Sequence, residues 1–219
     1  MDWELVRTSL GPILTYAVIG TVPLALASFA IGLALALGVA LMRLSRSRVA
    51  SGLGRAYVSV IRGTPLLVQL FIVFYGLGSI GIKIDPWPSA ILAFSLNVGG
   101  YAAEVIRAAI LSVPNGQWEA AHMIGMSRRL TLRRIILPQA ARVSVPPLSN
   151  TFISLVKDTS LASTILVTEL FRRAQEIAAF SSEFMLVYCE AAVVYWVLCL
   201  FLSAGQTRLE RRLDRYVAH

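Results

Sequence analysis

Long apolar runs alternate with short arginine-bearing segments along this chain. A helix needs ~20 predominantly apolar residues to cross ~30 Å of hydrocarbon. Five apolar runs are read as spans, at about 14–42, 66–80, 89–111, 143–160 and 184–204, the second of them short. The pattern therefore predicts an all-α integral membrane protein, with five transmembrane helices in a single transmembrane domain over residues 1–219. Two stretches do not fit it. Residues 113–138 form a polar loop rich in arginine, and residues 161–183 are amphipathic and mixed in charge.

Composition agrees with the pattern. A mean hydropathy of +0.70 with 15% charged residues in 219 is too apolar for a soluble domain. The net charge of +8 comes from eighteen arginines and two lysines set against twelve acidic residues. Nucleic acid as a partner is excluded, because no soluble domain remains to hold it; the arginines flank apolar runs and report topology instead. Twelve lie on one side: Arg43, Arg46, Arg48 and Arg55; Arg128, Arg129, Arg133 and Arg134; Arg208, Arg211, Arg212 and Arg215. The other side has Arg7, Lys83, Arg172 and Arg173. The positive side stays in the cytoplasm, so the N-terminus is expected outside, and the C-terminus and the 113–138 loop inside. Asp2 and Glu4 near the start argue against a cleaved signal peptide. Cys189 and Cys199 lie ten residues apart in one run, ~15 Å along a helix, too far to bridge.

The polar loop has internal order. Pro114-Asn115-Gly116 starts a turn, and Gln117 to Ile124 favour a helix. Gly125 can end it in a left-handed conformation, and Ser127 can cap the next piece. Arg129 and Arg133 are one turn apart, Leu130, Ile135 and Ile136 offer an apolar face, and Pro138 marks the return to the membrane. On residue types alone, an amphipathic segment on lipid headgroups fits as well as a docking element for a soluble protein.

The spacing is more specific. Glu119-Ala120-Ala121, then Gly125, then Ile135-x-Leu137-Pro138, resembles the Glu-Ala-Ala loop of ATP-binding-cassette (ABC) importer permeases. The strings RGTPLLVQLF, YAAEVIRAAI, GQWEAA, ILPQAAR, PPLSN, FISLVKDTSLA and ELFRRAQ resemble the polar amino-acid group of that family over about residues 14–205, and are most similar to its L-cystine type. The resemblance implies a type I importer permease in the bacterial inner membrane, multi-pass and not itself an enzyme. It implies two copies of a cytoplasmic ATPase, a periplasmic amino-acid-binding protein, and a second permease subunit, identical or a sister. This chain would bind no cofactor, with ATP and Mg held by the partner ATPase. Glu119, Ala120, Ala121, Gly125 and Met126 would couple the two. The chain itself cannot form a Walker phosphate loop, because neither lysine follows a glycine: Lys83 follows Ile82 and Lys157 follows Val156.

Ionisable groups inside spans are costly and are candidates for function. Asn97, Tyr101 and Glu104 fall at i, i+4 and i+7, on one helical face. Asn97 lies ~15 Å below Trp87, near mid-membrane. Glu104 has two readings, a receptor for a substrate ammonium or a structural partner of Arg107 at i+3. Lys157-Asp158-Thr159-Ser160 interrupts an apolar run that then resumes, which suggests a helix broken inside the membrane, with free backbone groups for a zwitterion. The alternative is a plain helix end with Lys157 reaching toward the interface. Arg62-Gly63-Thr64-Pro65 is expected at the cytoplasmic mouth of the second span, as a boundary turn or an ATPase contact.

Two decoys carry nothing. Ser154-x-x-Lys157 matches a nucleophile motif without its companion motifs. His122 and His219 lack neighbours at metal-ligand spacing. The functional expectation is a permease for a polar amino acid, L-cystine first, with arginine, histidine or glutamine as alternatives. An ion-coupled secondary transporter component, or a membrane scaffold, are the readings from other classes.

Overall fold

The computed structural model describes residues 3–214, and among them all regular structure is helical. Asp2, Arg215 and His219 lie outside the described residues. Helices α1 (Trp3–Tyr16) and α2 (Val22–Arg43) join through one wide π turn, Ala17–Thr21, into a continuous 41-residue span. The wide turn has a covalent cause. Pro23 has no N–H, and its ring crowds the carbonyl four residues back. Val22, just before it, donates instead to the carbonyl five residues back, that of Ala17. The same device recurs before Pro138, where Leu137 donates to Leu132 within the π turn Leu132–Ile136.

Helix α3 (Arg48–Gly63), outside the five apolar runs, is a capped helix, with the Ser47 hydroxyl accepting from Ala50 N–H. It leads into α4 (Leu66–Phe71), a π turn (Ile72–Gly76) and α5 (Leu77–Ser79) through a bend of 106°. Thr64 is extended, as a residue before proline prefers. The second apolar run is thus the far half of a bent pair, and Arg62-Gly63-Thr64-Pro65 is its corner rather than a plain boundary turn.

Helix α6 (Pro86–Ser112) is the central strut. It packs most extensively against α2, and also against α3, α4 and α9 (Leu137–Asp158). Close approach needs small residues, because between membrane helices attraction comes from packing rather than from water exclusion. A Cβ at Gly32 would meet the Val98 side chain at 2.7 Å, and one at Gly100 would meet Ile61 at 2.5 Å. The Tyr57 hydroxyl adds a bond to the Leu96 carbonyl at 2.7 Å.

Between α6 and α9 run α7 (Asn115–Met123) and α8 (Arg128–Thr131), with Ser127 capping α8 through Leu130 N–H. Beyond α9 a 3-10 stretch, Thr159–Ile165, leads to α10 (Leu170–Ser181) and α11 (Phe184–Asp214). Glu169 caps α10 while fully buried. It accepts from Phe171 and Arg172 N–H, from Tyr195 at 2.8 Å and from Thr21 at 3.2 Å, so it ties α10 to α11 and to the first wide turn. Among the described residues three helices are long and apolar enough to cross a membrane, or four if the bent pair counts as one span. Exposed apolar side chains along α11, such as Val193, Trp196 and Phe201, suit a lipid-facing surface.

At Gly32 any side chain forces α2 away from α6. Gly32→Leu is expected to lower stability by ~1–3 kcal/mol, read as thermal unfolding in detergent. Gly38→Ala, inside the same helix with nothing within 4 Å of its added Cβ, should hold or raise the midpoint.

Candidate functional site

The corner at Pro65 sets the site. Pro65 cannot donate to the Ile61 carbonyl, and extended Thr64 leaves its own carbonyl outside any ladder. Gln69, almost fully buried, answers both. Its amide nitrogen donates to Ile61 O at 2.8 Å, Thr64 O at 3.2 Å and Thr64 Oγ1 at 2.9 Å. Its amide oxygen accepts from Asn97 Nδ2 at 3.0 Å. Asn97 is thereby held with its own oxygen free, beside the corner.

A cavity of about 410 Å³ opens there between α4, α6 and α9. Thr64 and Pro65 come from the corner, Asn97 and Tyr101 from α6, and Asn150, Thr151, Ser154 and Asp158 from α9. Arg62 stands over the Tyr101 ring, its guanidinium carbon 5.5 Å from the centroid, a cation–π contact at the rim. Asp158 is half-buried and takes part in none of the ion pairs among the described residues. A carboxylate in an apolar bundle without a cationic partner leaves its charge to be met by something that enters the cavity.

The site residues expected from the sequence divide. Asn97, Tyr101 and Asp158 line the cavity together. Glu104, on the same face of α6 one turn further on, does not. It is clamped by Arg107, with Nη2 at 2.5 Å and Nε at 3.1 Å from Oε1, and by Arg43 of α2 on its other oxygen. The Arg107 pairing is the one considered from the sequence; Arg43 is a partner the sequence reading did not include. Lys157 is exposed outside the cavity, and Thr159 is fully buried behind it.

The helix around these residues does not open as expected. It tightens to 3-10 geometry, and the hydroxyls of Thr159, Ser160, Ser163 and Thr164 turn back onto carbonyls three residues earlier at 2.6–2.8 Å. Those hydroxyls occupy the carbonyls that a break would have freed. Thr64, Asn150 and Ser154 also line the cavity but were not expected from the sequence: the 106° corner brings Thr64 to α6, and Asn150 and Ser154 share the cavity side of α9.

The polar loop forms a second candidate surface. Gly125 adopts φ +77°, and Met126 N–H returns to Ala121 O at 3.0 Å, closing α7. Trp118 packs on the cluster of Ile110, Val113, Ile136 and Ala140, and Gln139 bonds Gln117 at 3.3 Å, so α7 is anchored to α6 and α9. Ala121 faces inward, Glu119 and Ala120 are exposed, and Met123 and Ile124 are 85% and 75% exposed. Two adjacent bare apolar side chains at the end of a polar loop suit contact with another protein.

Residues 28–215 match the family described as binding-protein-dependent transport system inner membrane component. The chain is 59% identical to the L-cystine transport system permease protein TcyB of Bacillus subtilis (strain 168), over all of this chain and 94% of that protein. It is 40% identical to the nopaline transport system permease protein NocM of Agrobacterium fabrum, over 93% of this chain and 88% of that one. A crystal structure of an amino acid ABC transporter with histidines superposes at a TM-score of 0.90, with 32% identity, covering 97% of this chain and 99% of that chain.

The two carboxylates should behave oppositely on mutation. Glu104→Ala strands Arg43 and Arg107 and is expected to cost ~1–3 kcal/mol in detergent unfolding. Asp158→Asn removes an unpaired charge and should leave stability unchanged or raise it.

Proposed function

Because the chain belongs to the binding-protein-dependent transport system inner membrane component family and shares its permease fold, we propose that it conducts L-cystine through the cytoplasmic membrane, with Asp158 receiving the substrate's ammonium. It is a multi-pass membrane subunit of an ABC importer for amino acids, and ATP hydrolysis belongs to a separate partner. The observation that carries the site is Asp158, half-buried and outside the ion pairs among the described residues, in a cavity lined by polar side chains on the flank of an apolar bundle. Asn97 and Thr64 offer the neutral hydrogen-bonding groups around it. The rim guanidinium of Arg62, rather than Lys157, is placed to draw the substrate carboxylate. L-cystine as substrate rests on the full-length similarity to TcyB.

Five crossings follow if the bent pair and α9 each count as one. The arginine asymmetry supports an outside N-terminus and puts α7 in the cytoplasm. The cavity is open on the flank of the bundle, where Tyr101 and Ser154 are exposed. Lipid cannot solvate such polar groups at mid-membrane, so a second copy of this chain, or a sister subunit, covers them and completes the pathway. Substrate arrives from an extracytoplasmic binding protein. Glu119, Ala120, Ala121, Gly125 and Met126, with bare Met123 and Ile124, form the coupling helix, one for each of two ATPase copies. The ATPases move the bundle only if they bind its inward- and outward-open states with different free energies.

Two variants test this reading in proteoliposomes holding the full complex. Asp158→Asn should cut binding-protein-dependent cystine uptake roughly 10- to 100-fold while the complex still assembles; uptake at the wild-type rate would overturn the role given to Asp158. Gly125→Pro forces φ near −65° where +77° is needed. It should leave ATP hydrolysis running without uptake, and normal coupling would count against the loop.

A further inference from the structure

A second large cavity lies at the end of the bundle opposite Trp87. It has a volume of about 720 Å³ and sits where α2, α6, α7 and α8 meet. Its floor is apolar: Leu41 and Leu44 at the end of α2, Ile110 and Leu111 at the end of α6, and Leu132. Leu111 is 59% exposed, so this floor runs out onto the lipid-facing side of the bundle. Its mouth is cationic. Arg46 and Arg128 stand at the rim, and no Asp or Glu is among the lining residues. Neither arginine takes part in an ion pair among the described residues. Trp118 forms part of the wall, an amphipathic ring of the kind that settles at headgroup depth.

We propose that this cavity binds one anionic phospholipid, with Arg46 and Arg128 on the headgroup phosphate and the start of an acyl chain along Leu41, Ile110 and Leu111. The two halves of the lining select this occupant. A soluble anion would meet the arginines but gain nothing from the apolar floor. A zwitterionic phospholipid would fill the floor but bring its own cation against two guanidinium groups. Basic pockets between helices at the cytoplasmic face hold anionic headgroups for the same reason. The bound lipid would wedge between the start of α7 and the end of α2, and so brace the segment that meets the ATPase. The proposal rests on the membrane placement of the chain, not on its substrate.

The test is quenching of Trp118 fluorescence in the assembled complex with its ATPase. Trp3, Trp87 and Trp196 are replaced by Phe, and the host membrane is phosphatidylcholine carrying a small fraction of a brominated lipid. Brominated phosphatidylglycerol should quench Trp118 at a lower mole fraction than brominated phosphatidylcholine. Each of Arg46→Gln and Arg128→Gln should weaken that preference roughly fivefold. Arg48→Gln with Arg129→Gln, which do not line the cavity, should preserve it. Equal quenching by the two lipids, or an undiminished preference in the Arg46→Gln/Arg128→Gln chain, overturns the proposal. So does a preference abolished by inorganic phosphate, which would mark a soluble-anion site, or quenching by neither lipid, which would mean the ATPase covers the cavity. If the Phe replacements disturb folding, native mass spectrometry of the unmodified complex reads the same contrast. Retained phosphatidylglycerol in the wild-type chain, lost in the double variant, supports the site; no retention overturns it. No transport is measured, so failure here is separate from failure of the transport reading.

Discussion

Inside hydrocarbon, every backbone N–H and C=O must find its partner within the protein. The architecture of this chain follows from how it meets that demand at its own interruptions. Pro23 and Pro138 are absorbed by π turns that shift one hydrogen bond by one residue. The corner at Pro65 is too sharp for that remedy, and the Gln69 side chain takes the place of the missing donor. At Thr159–Ile165 four hydroxyls occupy carbonyls that would otherwise stand free. The cavity beside the corner, where Gln69 also fixes Asn97, keeps polar groups available.

Charges in the bundle follow a parallel logic. Glu104 is neutralised by two arginines from two helices, and Glu169 is satisfied by four donors while fully buried. Both hold helices together. Asp158 has neither arrangement, and a carboxylate maintained at such cost without a partner needs another reason for its presence. In a membrane subunit of an amino-acid importer, the reason we propose is the substrate's ammonium. The arginine clamp also spans α2 and α6, and α6 in turn anchors Trp118 of α7, so the packed side of the bundle and the 113–138 loop share a foundation.

Much of this was legible in the sequence. The order within 113–138 emerged as read: a short helix, Gly125 left-handed, Ser127 capping. Asn97, Tyr101 and Asp158 were identified by cost alone, since polar residues in apolar runs are visible without coordinates. Geometry that depends on distant partners was not legible. Arg43 is 61 residues from Glu104, and nothing in spacing announces their meeting. Arg62 and Thr64 fit a membrane boundary on sequence alone; the corner instead sets Thr64 in the cavity lining and Arg62 over the Tyr101 ring. Thr159 and Ser160 were expected in the substrate pathway, but their hydroxyls bond the carbonyls of Val156 and Lys157. A side chain that can bond locally does so first.

The most direct measurement is a structure of the complete transporter trapped with its amino-acid substrate in a lipid nanodisc. The account predicts substrate density in the cavity between α4, α6 and α9, with an ammonium ~2.7–3.2 Å from the Asp158 carboxylate and Glu104 still held by Arg43 and Arg107. Substrate seated against Glu104 with that clamp opened, or lying away from Asp158, Asn97 and Tyr101 altogether, would contradict it.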